Sequence, residues 1–136
     1  MLSRLRSLFR RAAPPPTIAA TATGFAVRGG AEAAVAVAWA EVRRVVAFKR
    51  DLYTTDCIVL AVEYGAPSPA VVELSEEWPG FTDLFGTMET ALGVSPSWYL
   101  EIMTPAFEPT MRVLFERAGG ANVPHAPDGR APDAGR

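Results

Sequence analysis

The spacing of hydrophobic residues changes from strand-like to helical near residue 80, and this change limits the possible folds more than any other feature of the chain. Between residues 17 and 74, apolar residues recur in short segments bounded by turn residues, a pattern that is typical of antiparallel strands. From residue 81 to residue 102 the apolar residues follow helical spacing, and a last segment at residues 111–117 returns to strand spacing. We therefore predict an α+β domain: a mainly antiparallel sheet or partly open barrel of about six strands, with one main helix and one short helix near the C-terminal end.

Five strands are predicted before the main helix and one after it. Gly29-Gly30 is expected to supply the positive φ angles of a tight hairpin turn. The last strand alternates with period two, which predicts that Met111, Val113 and Phe115 face inward. The predicted strands cover residues 17–27, 33–39, 41–49, 57–64, 70–74 and 111–117.

The main helix is predicted from a single apolar stripe that ends at a glycine. The residues of the stripe are Phe81, Leu84, Phe85, Met88 and Leu92. Gly93 suits the left-handed position that follows a helix. Trp98 and Ile102 lie four residues apart and predict the second, short helix, with Ser95-Pro96 at its beginning.

Charge and composition divide the chain into three parts. Residues 1–16 carry four arginines and no acid, residues 17–117 have a net charge of −6, and residues 118–136 are rich in proline and glycine. We expect a basic, disordered leader, one α+β domain and a disordered tail. An acidic body argues against nucleic acid as a ligand, because binding to phosphates needs a basic surface.

Several features indicate a soluble protein of the cytoplasm. No run of about 18 apolar residues is present, and the only cysteine, Cys57, cannot form an internal disulfide. Cys57 lies in an apolar run and is expected to be a buried core residue. Residues 1–13 are basic and amphipathic, so contact of this segment with a membrane surface is an alternative.

The densest polar cluster lies between the third and fourth predicted strands. Its residues are Lys49, Arg50, Asp51, Thr54 and Asp56. We interpret it as a structural turn in which Asp51 or Asp56 bonds to backbone N–H groups. The alternative is that the two carboxylates support acid–base chemistry or hold a hard metal ion.

A second group of polar residues precedes the main helix: Glu73, Glu76, Glu77 and Trp78. Negative charge near a helix N-terminus is stabilising by itself. The alternative is an acidic patch that docks a basic protein partner, with Trp78 as an anchor. The chain has no Gly-rich phosphate loop, no Cys/His metal spacing, no Gly-x-Ser-x-Gly elbow and no histidine inside residues 17–117. We therefore predict no catalytic residues, no metal and no cofactor.

A resemblance to a known group rests on four stretches of the sequence. They are Trp39-Ala40-Glu41-Val42, residues 48–56 from Phe48 to Asp56, Gly80-Phe81 and Trp98. Over residues 20–117 the chain resembles small bacterial proteins that are similar to immunity-protein-like, pleckstrin-homology-like domains. The resemblance implies a strand-rich domain and carries no catalytic residues.

The function expected from the sequence is therefore binding to a protein, by an immunity-type domain that covers a basic partner. The first alternative is a small regulatory or structural domain held at a membrane surface by residues 1–13. The second is an enzyme that uses Asp51 and Asp56.

Overall fold

The computed structural model describes residues 14–30, 33–52, 55–104 and 110–118, and within them the chain forms seven strands and two α-helices. The leader and the tail predicted from the sequence lie almost entirely outside the described residues. The strands are β1 (Thr17–Thr21), β2 (Gly24–Arg28), β3 (Val35–Ala38), β4 (Val42–Leu52), β5 (Thr55–Tyr64), β6 (Ala70–Ser75) and β7 (Met111–Glu116). The helices are α1 (Phe81–Leu92) and α2 (Trp98–Met103), and a 3-10 turn, Trp39–Glu41, precedes β4.

The strands form two antiparallel sheets that do not close into a barrel. The smaller sheet has the order β1-β2-β3 and the larger sheet the order β6-β5-β4-β7. The predicted α+β class, with a partly open arrangement of strands and two helices, is confirmed. Among the described residues, no helix has the length and apolar content that crossing a membrane requires.

The first predicted strand is wrong, because residues 17–27 form a hairpin and not one strand. The chain reverses between β1 and β2, where the Thr21 hydroxyl accepts the Thr23 N–H at 3.3 Å and donates to the Gly24 carbonyl at 3.2 Å. A side chain at residue 24 would overlap with the Val37 carbonyl oxygen, so only glycine fits. Threonine hydroxyls stabilise such turns without a Gly-Gly or Asn-Gly signal, which is why the spacing of hydrophobic residues gave no sign of this one.

The chain reverses a second time at Gly29-Gly30, where the sequence predicted a hairpin turn. Gly29 and Gly30 have φ angles of 84° and 68°, in the left-handed region that glycine favours. They lie between β2 and β3, which pair antiparallel from Val27 opposite Val35. The connection runs to residue 34, and residues 31 and 32 lie outside the described residues.

The core lies between the two sheets and the helices. Phe81, Leu84 and Met88 of α1 are buried, whereas Phe85 and Leu92 are half-buried against them, so the predicted stripe is confirmed. Gly93 has a φ of 68° and ends α1 as predicted. Helix α2 buries Trp98 and Ile102, and it begins at Trp98, later than the beginning predicted at Ser95-Pro96.

Two hydrogen bonds join the small sheet to the rest of the domain, one from a tryptophan side chain and one between backbone groups. Trp39 is buried in the 3-10 turn, not in a strand, and its indole Nε1 donates to the Thr21 carbonyl at 3.1 Å. The Ile18 N–H donates to the Pro79 carbonyl at 2.8 Å. Gly80 follows with a φ of 90°, and a side chain there would overlap with the Ile18 carbonyl. The beginning of β1 is thus held against the beginning of α1.

The inward face predicted for the last strand is wrong for two of its three residues. Met111 and Val113 of β7 are 75% and 44% exposed, because they pair with Phe48 and Val46 on the face of the large sheet that points away from the core. A bulge follows: Val46 pairs with Val113 and Val45 with Phe115, so the residue between them is extra. Phe115, which follows the bulge, packs against the core as predicted.

Candidate functional site

The four residues predicted to bind a partner lie at the end of β6 and in the turn after it, but they have different environments. The Glu73 side chain is 55% exposed and forms an ion pair with Arg50, with 3.2 Å between Oε2 and Nη2. Glu77 is exposed, and Trp78 is half-buried against the core. These three residues are therefore accessible, in whole or in part, to a partner.

Glu76 differs from its neighbours because both of its carboxylate oxygens are bonded inside the domain. Oε1 accepts the Ile58 N–H at 2.8 Å, and Oε2 accepts the Tyr99 hydroxyl at 2.9 Å. The carboxylate thus takes the place of a backbone acceptor where β6 ends beside β5, and it also ties α2 to that point. Glu76 thus has a structural role within the domain, and the sequence did not indicate its bond to Tyr99 because the two residues are 23 positions apart.

The environment of Tyr99 reflects the same contact. Burial raises the pKa of Tyr99 from 10.0 to about 12, and the hydrogen bond to Glu76 and the negative charge of that carboxylate act in the same direction. The phenol therefore keeps its proton, and donates it to Glu76, at any pH near neutrality.

A groove lies beside Trp78, between the edge strands of the two sheets. Its volume is about 360 Å³. Its walls come from β2 and β3 on one side, from β5 and β6 on the other, and from the turn before α1: Val27, Ala33, Val35, Tyr64, Val71, Val72, Glu73 and Trp78. We call it the β6 groove. It brings together two predicted residues, Glu73 and Trp78, with an apolar lining that the sequence did not reveal.

Val71 is an exposed residue of the β6 groove, with 62% of its surface accessible. Val71 is continuous with the apolar lining of the groove, and contiguous exposed apolar surface is characteristic of sites where proteins meet. The sequence indicated only that β6 is a short strand. Its place at the edge depends on the order of strands in the sheet, which the sequence does not specify.

The predicted turn at residues 49–56 is shorter than expected, because β4 continues to Leu52 and β5 begins at Thr55. Lys49, Arg50 and Asp51 therefore belong to β4, and Asp56 to β5, whereas Thr54 lies outside the described residues. The Lys49 ammonium is 3.5 Å from Oδ2 of Asp56, with side chains only 1% and 7% exposed. Bonds from Asp51 or Asp56 to backbone N–H groups remain a prediction.

The pairing of β4 with β5 also determines how Asp51 and Asp56 lie relative to each other, which matters for the alternative that they support acid–base chemistry or hold a metal ion. Asp51 and Asp56 are directly opposite each other across the two strands. The Lys49 ammonium lies beside this pair and offsets the repulsion between like charges. Among the described residues, no group of three or more Asp, Glu, His or Cys side chains could hold a metal ion.

Arg50 lies across the face of the large sheet that points away from the core. Its guanidinium is 5.6 Å from the centre of the Phe48 ring and reaches over β5 to Glu73 on β6. Cys57 and Val59 of β5 share that face and are buried. Cys57 is therefore a buried residue, as predicted, and its Sγ is 3.3 Å from the Ser75 hydroxyl.

Comparisons with protein-family models, with curated proteins and with solved structures found no significant match.

Proposed function

We propose that this chain is a non-catalytic, immunity-type binding domain of the cytoplasm, which covers part of a basic partner protein with the surface formed by Glu73, Glu77 and Trp78. The observation that carries the proposal is the β6 groove, where an apolar lining lies beside accessible carboxylates. An apolar centre with a charged rim is the usual composition of a protein–protein interface.

Each residue has a distinct part in this proposal. Trp78 presents an amphipathic ring at the groove and is the natural anchor, because tryptophan is enriched among the residues that dominate binding energies. Glu73 lines the groove and Glu77 is the exposed chain neighbour of Trp78, and charges at the edge of an interface mainly raise the association rate with an oppositely charged partner. The net charge of −6 on residues 17–117 attracts the same class of partner over a longer distance.

The proposal is tested by capture and then by kinetics. The wild-type chain and a Glu73→Lys/Glu77→Lys variant are each immobilised and exposed to an extract of the source cells. A matched control, Glu41→Lys/Glu116→Lys, makes the same change in net charge at exposed carboxylates that do not line the groove. We expect a basic protein that the wild type and the control retain and the Glu73/Glu77 variant loses.

The captured protein is then purified and its association rate is measured between 0.01 M and 0.15 M salt. The Debye length falls from about 30 Å to about 8 Å over this range, so association through the rim carboxylates should slow markedly. Equal retention by all three chains would contradict the proposal. Deletion of residues 1–13 should leave binding nearly intact, and sedimentation with anionic vesicles that depends on these residues would support the membrane alternative instead.

A further inference from the structure

The main chain of β6 has one unpaired edge, because β6 is the first strand in the order of the large sheet. The Glu76 N–H donates to the Ile58 carbonyl at 2.9 Å, which fixes the phase of hydrogen bonding between β5 and β6. In an antiparallel pair, bonded and non-bonded positions alternate. Residues 70, 72 and 74 therefore bond to β5, whereas the N–H and C=O groups of Val71 and Glu73 point to the open edge.

A second hydrogen bond supports this alternation of bonded and non-bonded positions along β6. The Ser75 carbonyl accepts the Trp78 N–H at 3.0 Å, so it is directed away from β5, as Val71 and Glu73 should be. In the part of the chain that the structure describes, no strand pairs with this edge of β6. Unpaired edges are templates for an added strand. In complexes formed by strand addition, main-chain hydrogen bonds give affinity and the sites that receive alternate side chains give specificity.

Side chains of β6 alternate between the two sides of this edge. The Val72 side chain lies on the core side of the sheet and those of Val71 and Glu73 on the other face, and all three residues line the β6 groove at this edge. Arg50 hydrogen-bonds to Oε2 of Glu73, and within the described residues no hydrogen bond reaches Oε1, so that oxygen can meet a second cation. The edge thus offers three consecutive residues of different character: an exposed valine at 71, a core-side valine at 72 and a carboxylate at 73.

We propose that the partner presents an extended segment that adds to β6 as an antiparallel strand, with a basic residue opposite Glu73, an aliphatic residue opposite Val72 and a β-branched residue opposite Val71. The basic residue pairs with the Glu73 carboxylate, and the aliphatic side chain enters the β6 groove beside Trp78. Every strand pair in both sheets is antiparallel, and antiparallel pairing is the more stable per residue. This inference rests on the proposed function, since it names the partner of the same site.

The probe is a capped peptide, Thr-Lys-Val-Val-Thr, added to the isotope-labelled full-length chain and followed by the amide signals of β6. We expect saturable shifts at Val71 and Glu73. The reversed peptide, Thr-Val-Val-Lys-Thr, and a peptide of the same composition with the order Val-Thr-Lys-Thr-Val should bind at least tenfold more weakly. Equal binding of the three peptides would overturn the proposed pattern and direction.

The variant Val71→Pro tests the main-chain bond directly. Proline removes only the N–H that points to the open edge, and it is tolerated in edge strands for that reason. Val71→Thr keeps the N–H and is the matched control. We expect Val71→Pro to lose at least tenfold in peptide affinity with a native amide spectrum, and Val71→Thr to retain binding.

A charge exchange keeps the inference falsifiable if Val71→Pro does not fold. Glu73→Lys should lose the lysine peptide and recover binding to Thr-Glu-Val-Val-Thr. Failure of this exchange overturns the inference. The proposed function survives that result if the captured basic protein still requires Glu73 and Glu77, and it fails separately if that protein binds the Glu73→Lys/Glu77→Lys variant normally.

Discussion

The Tyr99 hydroxyl and the Glu76 carboxylate are 2.9 Å apart, and this bond fixes α2 to the end of β6. The other oxygen of Glu76 holds the Ile58 N–H. We expect Glu76→Ala to lower the free energy of unfolding by about 1.5–3 kcal/mol, the usual contribution of a hydrogen bond to a charged group. Urea denaturation measures it. Glu77→Ala, an exposed neighbour, is the control and should change stability by less than about 0.5 kcal/mol.

The same pair predicts a loss of stability at high pH. The pKa of Tyr99 is about 12 in the folded protein, against 10.0 for an unperturbed tyrosine, so the folded state holds the proton more tightly. The stability from this shift is fully present below pH 10 and is lost as pH rises from 10 towards 12. Unfolding curves of the wild type and Tyr99→Phe at pH 8 and pH 11 isolate the effect. The variant should lose less stability between the two pH values, and parallel losses would contradict the assignment.

Because Lys49 and Asp56 form a buried ion pair, we expect the free energy of unfolding to depend strongly on both residues. Removing one charge takes away a close opposite charge from a buried group, and breaking a buried ion pair in this way typically costs about 3–5 kcal/mol. We expect Lys49→Met and Asp56→Leu each to lower the free energy of unfolding by about this amount. The double variant should recover much of the loss, because neither buried charge remains. A double-mutant cycle from urea denaturation gives the coupling, and strictly additive single effects would contradict a tight ion pair.

Two glycines near α1 should respond in opposite directions to alanine. Gly80 has a φ of 90° and no space for a side chain beside the Ile18 carbonyl, so Gly80→Ala should be strongly destabilising. Gly86 lies inside α1, and a side chain there meets no atom. Gly86→Ala should stabilise the protein by about 0.5–1 kcal/mol, because glycine weakens a helix. Thermal unfolding of the two variants provides the comparison.

The exposed apolar residues of β7 should contribute little to stability. Met111→Thr is expected to change the free energy of unfolding by less than about 0.5 kcal/mol, because the side chain is 75% exposed. Phe115→Ala should be clearly destabilising, since Phe115 packs against the core. If Met111→Thr were as destabilising as Phe115→Ala, the inward face predicted from the sequence would be right after all.

Secondary structure was predicted best from the sequence where the spacing of apolar residues allows only one interpretation. The stripe of α1 and its ending at Gly93 follow from side-chain spacing and from the freedom of glycine, and both are present. The face of β7 was wrong because apolar residues occur at both parities of that strand. Only the bulge and the pairing with Val46 decide which of them point inward, and those are tertiary features.

The candidate site was predictable only in part. Glu73 and Trp78 were identified by charge and residue type, and both line the β6 groove. Val71 was missed, because its exposure depends on β6 being an edge strand. The role of Glu76 could not be separated from that of its neighbours, because the hydroxyl that it binds belongs to a helix distant in sequence.

The bond between the Ile18 N–H and the Pro79 carbonyl has a consequence for synthesis of the protein on the ribosome. The first strand cannot reach its final position until the chain has been extended past residue 79. At about 5–20 residues per second, translation leaves the first hairpin without that contact for roughly 3–12 s. During this interval Ile18 and Phe25, which are both buried in the finished domain, are exposed to chaperones and to other nascent chains.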